Sequence, residues 1–257
     1  LGAGLGTNGS TIGGGIKENN FLGKGISLDT NIQLSKEGLK GRFVYSKPNF
    51  NYSDNSLSTS LTAETLDKLN TNGYKNTNVG FSLGTQFQQY ENFFLSPEIA
   101  MSSEKLETTH TASTQLKKQK GTYQDIYFNY GTIYDLRDRS YRPTSGHTVK
   151  FNQSLPIYSE NYELTNTFEV NKYHPLNSTS DIIGKISFYA KSVNAMSSGN
   201  TRISKRLFIP AKKLRGFKPG KVGPKDNLDF IGGNYVTTLN LSTDLPDIIP
   251  SFENIDI

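Results

Sequence analysis

Asn78-Val79-Gly80-Phe81-Ser82-Leu83-Gly84-Thr85-Gln86-Phe87 alternates without a break. Val79, Phe81, Leu83, Thr85 and Phe87 fall on one side, and Asn78, Gly80, Ser82, Gly84 and Gln86 on the other. Successive side chains of a strand point to opposite faces, so this stretch is a strand with one apolar and one polar face. The same period runs through Ile26–Leu34 (Ile26, Leu28, Thr30, Ile32 and Leu34 against Ser27, Asp29, Asn31 and Gln33). It returns in Asp125–Asp135, Tyr162–Val170, Ile182–Lys191 and Asn234–Ser242. These runs reach about 9–13 residues, long for a soluble sandwich and right for a tilted strand crossing a bilayer. No amphipathic helical period of useful length interrupts them.

Composition fits the alternation. Of 257 residues, 34% are apolar, 24 are Gly, and Tyr and Phe number 14 and 15. That is little for one dry core, yet too aromatic for a disordered polar chain. A membrane β-barrel, apolar outside and wet inside, accommodates both facts; a soluble secreted sandwich is the competing reading. No segment has the ~20 consecutive apolar residues of a transmembrane helix. With no Cys, disulfide scaffolds, Cys-ligated zinc and thiol catalysis are excluded.

The alternation gives about twelve strands: 1–6, 10–19, 25–35, 39–47, 56–65, 76–87, 92–103, 122–136, 147–155, 162–173, 181–193 and 233–244. Their connections alternate in length, as the two ends of a membrane barrel require. Asn19–Lys24, Gln88–Asn92 and Pro175–Ser180 are short. Leu66–Lys75 and Glu104–Gly121 are longer, and Asn194–Ile231 exceeds any loop without a function. If the chain enters from the periplasm, the short turns, with Pro48–Asn55 and Arg137–Gly146, are periplasmic. Cysteines at Asn72 and Ser113 then label from outside, and one at Ser178 does not. Residues 254–257 read as the opening of a further strand, so both ends suggest a fragment.

Two segments carry more than a period. Leu214-Arg215-Gly216-Phe217, then Val222-Gly223-Pro224-Lys225 and Ile231-Gly232-Gly233-Asn234, occupy the longest loop. Asp135-Leu136-Arg137-Asp138-Arg139, then Pro143-Thr144-Ser145-Gly146, form a turn between two strands. In this order and spacing they resemble the barrel of the BamA-type outer-membrane insertase superfamily, whose signature is the Arg-Gly-Phe loop. Asn19-Asn20-Phe21-Leu22-Gly23 resembles that family's turn after its second barrel strand. Alone, a basic loop tip is ordinary solvated surface, and Asp135, Arg137, Asp138, Pro143 and Gly146 read simply as an ion-paired turn.

Loop chemistry has its own logic. From Arg202 to Lys225 there are nine basic residues and no acid. Such a run suits anionic lipid or nucleic acid, but no aromatic stacking array accompanies it and a membrane barrel does not meet nucleic acid. The alternation puts Asp29, Asp125, Asp135, Glu163 and Glu169 on the polar face. A basic loop folded into an acid-walled lumen is electrostatically favourable. Arg215 is expected to fork onto one of these carboxylates, with Gly216 turning the backbone beside it. Ser242 stands where some relatives of the family carry a lumen-facing Glu, which leaves the partner of Arg215 open.

No enzyme is expected. His110, His147 and His174 lack the partners of a nucleophile or a metal site, and the Gly-rich stretches 1–6 and 13–15 read as strands. No cofactor and no metal are expected.

The resemblance implies an all-β, transmembrane, antiparallel meander β-barrel of sixteen-strand type. Residues 1–257 would supply about its first twelve strands as one incomplete domain, with 194–231 as a lumen-folded loop. It implies folding and insertion of β-barrel proteins into the bacterial outer membrane. The partners would be unfolded outer-membrane clients, outer-membrane lipid and periplasmic lipoprotein subunits reached through an N-terminal region. It further implies a lateral gate at the first strand, Leu1, Gly2, Gly4 and Gly6, whose glycines weaken packing. A translocating pore of the same superfamily and a passive porin are the alternatives.

Overall fold

The computed structural model describes residues 2–6, 9–36, 38–69, 73–110, 112, 114–178, 182–196, 200–226 and 229–245. Leu1, Asn72, Ser113 and residues 254–257, named above for the gate, the labelling sites and a further strand, lie outside these.

Twelve strands form one antiparallel sheet in simple sequence order. They are β1 (Gly2–Gly6), β2 (Gly9–Phe21), β3 (Ile26–Ser35), β4 (Gly38–Lys47), β5 (Ser56–Lys68), β6 (Tyr74–Tyr90), β7 (Phe93–Thr108), β8 (Gly121–Asp135), β9 (Gly146–Tyr158), β10 (Glu163–Pro175), β11 (Ile183–Ala195) and β14 (Tyr235–Asp244). A two-stranded ribbon, β12 (Lys225–Asp226) with β13 (Asp229–Phe230), sits inside the long connection. The sheet is not closed: among the described strands, β1 pairs only with β2, and β14 only with β11.

The expected strands are all present, and several run further than the apolar period alone reaches. β7 continues to Thr108 rather than stopping at residue 103, and β6 spans 17 residues. In β7 the alternation persists through Glu104 and Leu106, but an inward acid looks like loop sequence to a reading keyed on apolar residues. Its consequence is large, because Glu104 becomes part of the wall.

Register separates the faces. Ser60 lies opposite Ser82 and their hydroxyls are 2.7 Å apart on the inner face. Phe168 faces Phe188 across β10 and β11 on the outer face, ring centroids 6.3 Å apart and edge-on, a favoured aromatic geometry. The outer face leaves Phe81, Phe128, Phe168, Ile186, Leu239 and Leu241 exposed. In water that would be a large adhesive surface; in hydrocarbon it is the solvated side. The inner face carries hydrogen-bonded polar side chains, such as Asn129 Nδ2 donating to Glu98 Oε1 at 2.9 Å.

The links 22–25, 48–55, 91–92, 136–145 and 176–182 emerge at one end of the sheet, which we call the turn end. The links 69–73, 109–120, 159–162 and 196–234 emerge at the other, the loop end.

Charge placed on the outer face should be far worse tolerated than on the inner. Phe81→Arg is expected to destabilise the folded barrel by about 2–4 kcal/mol near mid-membrane, and Ser82→Arg, facing the polar lumen, by much less. Urea unfolding in lipid vesicles measures both; equal costs would describe a two-sided soluble core instead.

Candidate functional site

The connection from β11 to β14, residues 196–234, bends back over the inner face at the loop end, and residues 201–203 are its anchor. Thr201, Arg202 and Ile203 are buried, Arg202 with no exposed surface. Its Nη1 donates to Glu104 Oε2 at 2.8 Å and its Nη2 to both oxygens of Asp125 at 3.0 Å. Nη2 is also 3.6 Å from Glu163 Oε2, and the Arg202 backbone N–H donates to Glu163 Oε1. The guanidinium lies over the Tyr123 ring, 4.2 Å from its centroid. One side chain thus ties the loop to β7, β8 and β10.

Three carboxylates brought together would repel one another. Arg202 and the nearby Lys205, whose Nζ is 3.8 Å from Asp125 Oδ2, offset most of that charge. Burial alone would lower the Arg202 pKa, but the Asp125 hydrogen bond and the charges of Glu104, Asp125 and Glu163 raise it above its ordinary value. Ser159 Oγ supplies Asp125 with a further donor at 2.6 Å.

Around this charge cluster the loops build an apolar cluster. Ile203 joins Tyr74, Leu106, Ala112, Leu116 and Tyr123, with Ile231 against them. Ala112 and Leu116 come from the 109–120 link, whose Gln119 side chain accepts from the Ile203 N–H at 2.7 Å. A second cluster, Val193, Leu207 and Val236, with Tyr189 and Ile209, seals the root of the loop. Further along, Lys213 Nζ reaches Glu169 Oε2 at 3.3 Å and lies 4.5 Å from the Tyr189 ring centroid. Lys221 and Lys225 stack on the Phe230 ring of β13.

The Arg-Gly-Phe motif is placed differently from what its sequence suggests. Leu214 is half-buried, but Arg215, Gly216 and Phe217 are exposed, Phe217 by 60%. Among the described residues no carboxylate pairs with Arg215. The fork-like bond expected of Arg215 is made by Arg202, thirteen positions earlier. The reason lies in strand register. Glu104, Asp125 and Glu163 sit at the loop end of β7, β8 and β10, within reach of the first loop residues. Opposite Lys185 on β11, the wall position at β14 is Ser242, not an acid. Of the other expected wall acids, Asp29 lies opposite Lys17 and Asp135 is taken by Arg137.

The later glycines stitch the loop's return. Leu207 and Gly233 exchange backbone hydrogen bonds at 2.8 and 2.9 Å, and Asn234 O accepts from the Val193 N–H at 2.9 Å. Gly232 has φ +69, and a Cβ there would lie 2.9 Å from Leu207 O, so only glycine fits without movement. Gly223 is exposed, and Pro224 O accepts from the Ile231 N–H at 3.1 Å.

The second motif is a turn braced by its own side chains. Arg137 clasps Asp135 through Nε and Nη2, at 2.9 and 2.7 Å. Asp138 accepts from the Thr144 and Ser145 N–H groups at 3.0 and 3.1 Å, and from the Thr144 hydroxyl at 2.6 Å. The Thr144 hydroxyl first, with those amides, holds the Asp138 carboxyl down at about 2. Pro143 lies in this turn, and Gly146, at φ +90, closes it where a Cβ would strike Leu136 O. Among the described residues no group of His, Cys, Asp and Glu is placed to hold a metal ion.

A twelve-strand meander with a long basic loop returned to its inner face narrows the relatives sharply. The sequence profile of the Omp85 superfamily domain matches residues 20–252. The chain belongs to the Omp85 superfamily. The fold of this Omp85 chain is similar to the crystal structure of BamA from Haemophilus ducreyi lacking POTRA domains 1–3. The TM-score is 0.80 and the identity 22%, over 96% of this chain and 53% of that one. In sequence it is 26% identical over 149 residues to the human sorting and assembly machinery component 50 homolog, covering 54% of this chain and 30% of that protein. The chain therefore spans about half the length of the BamA chain and under a third of the human relative. As an Omp85 barrel it is a protein of the bacterial outer membrane.

Removing Arg202 leaves three facing carboxylates without their common cation. Arg202→Ala in the full-length protein is expected to cost about 3–5 kcal/mol locally and to open the loop to trypsin at Lys205 and Lys212 on folded barrel. Arg202→Lys should protect poorly, since an ammonium lacks the planar fork. A loop as trypsin-resistant in Arg202→Ala as in the wild type would contradict the anchor.

Proposed function

We propose that the protein to which this chain belongs folds and inserts other β-barrel proteins into the outer membrane. The observation that carries the reading is the short, glycine-rich β1 in an Omp85 sheet. β1 pairs through only five residues with the thirteen of β2, in the register Gly2↔Gly13, Gly4↔Thr11 and Gly6↔Gly9. In the proposed mechanism β1 parts from the strand that closes the barrel, and the backbone donors and acceptors of that side lose their partners. In hydrocarbon such groups have no water to turn to, so they are a strong template for an incoming strand. Main-chain hydrogen bonds then capture a client with little regard to its sequence, which suits a factor serving many barrels. The glycines make this edge cheap to bend and to release.

In this reading the mechanism is mechanical. A client strand adds to β1, grows by further hairpins, and leaves as its own closure replaces the borrowed hydrogen bonds. The lumen-folded loop 194–231 keeps the inner wall filled while the edge is open, and Arg215 and Phe217, solvent-facing at its tip, are offered to clients or to partner subunits. The Asp135–Gly146 turn keeps β8 and β9 in register. Outer-membrane clients, lipid and periplasmic lipoprotein subunits are the partners proposed, the last through an N-terminal region of the full-length protein. The barrel of BamA from H. ducreyi supports this by fold, and the human assembly-machinery relative by sequence.

The test uses a photo-crosslinking residue at Ala3 in β1 and, as control, at Phe128 in mid-sheet. Newly exported β-barrel proteins should be captured at Ala3 and not at Phe128. Arg215→Ala breaks no wall contact, so its stability should change by less than about 0.5 kcal/mol while assembly of other outer-membrane proteins falls. Equal capture at both positions, or soluble exported chains captured at the inner-face residue Asn129, would favour a translocating pore.

A further inference from the structure

At the turn end, the outer face of β10, β11 and β14 departs from its neighbours. Elsewhere that end is aromatic: Tyr90 packs with Phe93 at 6.3 Å, and Tyr134 with His147 at 6.2 Å, as expected of a membrane-interface belt. Across β10, β11 and β14 the corresponding row reads His174–Gly184–Thr243, and the next row inward Lys172–Ile186–Leu241. Gly184 contributes no side chain, and the gap opens a cavity of ≈ 510 Å³ lined by Lys172, His174, Leu176, Ile186, Leu241 and Thr243 among others. Leu176, from the following turn, closes one end against Gly184. Lys172 and His174 are exposed. By strand alternation the outward positions of these three strands carry no Asp or Glu; Glu169 and Asp244 fall on the inner face.

We propose that this notch holds one anionic phospholipid, its headgroup phosphate on Lys172 and His174 and an acyl chain along Ile186 and Leu241. The charge pattern selects the occupant. Two basic groups side by side at the boundary of an apolar face have no acid to pair with, and a phosphate accepts from both. The walls beneath them are aliphatic, which suits a chain and not a free ion. Lys172 sits one row deeper than His174, and a long amine stem lets its charge rise to the headgroup level while its methylenes stay against the sheet. Gly184 is the feature that makes room: any side chain there would press on Leu176, whose atoms lie 3.0–3.3 Å from the position of an added Cβ. The site is independent of the inserting activity proposed above and lies at the opposite end of the sheet from the Arg202 anchor.

The test is native mass spectrometry of the full-length protein in detergent, offered equimolar phosphatidylglycerol and phosphatidylcholine with the same acyl chains. The wild type is expected to retain phosphatidylglycerol about tenfold over phosphatidylcholine. Lys172→Ala with His174→Ala should bring the ratio near one, and Gly184→Leu should reduce retention of both lipids. Heat-modifiable electrophoretic mobility verifies that each variant is folded. The wild-type ratio alone is decisive should a variant misfold. A wild-type ratio near one, a preference unchanged in the double variant, or displacement of the lipid by free inorganic phosphate would each overturn the proposal.

Discussion

A buried guanidinium holds the inner half of this molecule together. Arg202 is tied through hydrogen bonds and ion pairs to Glu104, Asp125 and Glu163, which arrive on three strands. Without it the wall would present three carboxylates to one another across a few ångströms, and the loop would have no reason to enter. With it, the loop's next residues are committed: Ile203 must join the apolar cluster, Lys205 falls beside Asp125, and Leu207 meets Gly233 on the way out. A buried ion pair is weak evidence for stability, since desolvation opposes the attraction, but breaking one is costly. Its value here is in specifying one position for a 39-residue connection that has little periodic structure of its own.

The second constraint is the backbone. In hydrocarbon each N–H and C=O must find a partner within the sheet, which forces long strands, strict neighbour pairing and a division of faces. The inner face meets this constraint with hydroxyls, amides and ion pairs, the outer face with lipid-facing side chains. The loop end is packed and charged; the turn end is aromatic apart from the notch at Gly184. Opposite ends of one sheet thus support different interactions.

The strands were legible because period two is imposed on every one of them by the same division of faces, and stretches such as Val79–Phe87 show it without noise. Strand ends were less legible. Glu104 and Leu106 continue the inward alternation of β7, but charged residues there resemble loop sequence. The long connection was recognisable by length and charge, and three of its nine cations, Arg202, Lys205 and Lys213, meet wall carboxylates. Which cation makes the contact was not legible. Loops carry no period to assign a side chain to a face, and the motif at Arg215 drew attention away from Arg202, an unremarkable residue in sequence. Its position depends on distances between β7, β8 and β10 that only the assembled sheet sets. The turn at 135–146 was readable because the hydrogen bonds of Asp135 with Arg137 and of Asp138 with Thr144 and Ser145 are local, between residues at most seven apart.

The anchor is tested most directly by a double-mutant cycle between Arg202 and Glu104 in the full-length protein. Arg202→Met and Glu104→Gln, singly and together, would be compared by thermal unfolding of the barrel. A direct buried bond predicts strong non-additivity, with an interaction energy of about 1–3 kcal/mol. Additivity to within about 0.5 kcal/mol would mean that the two side chains do not meet.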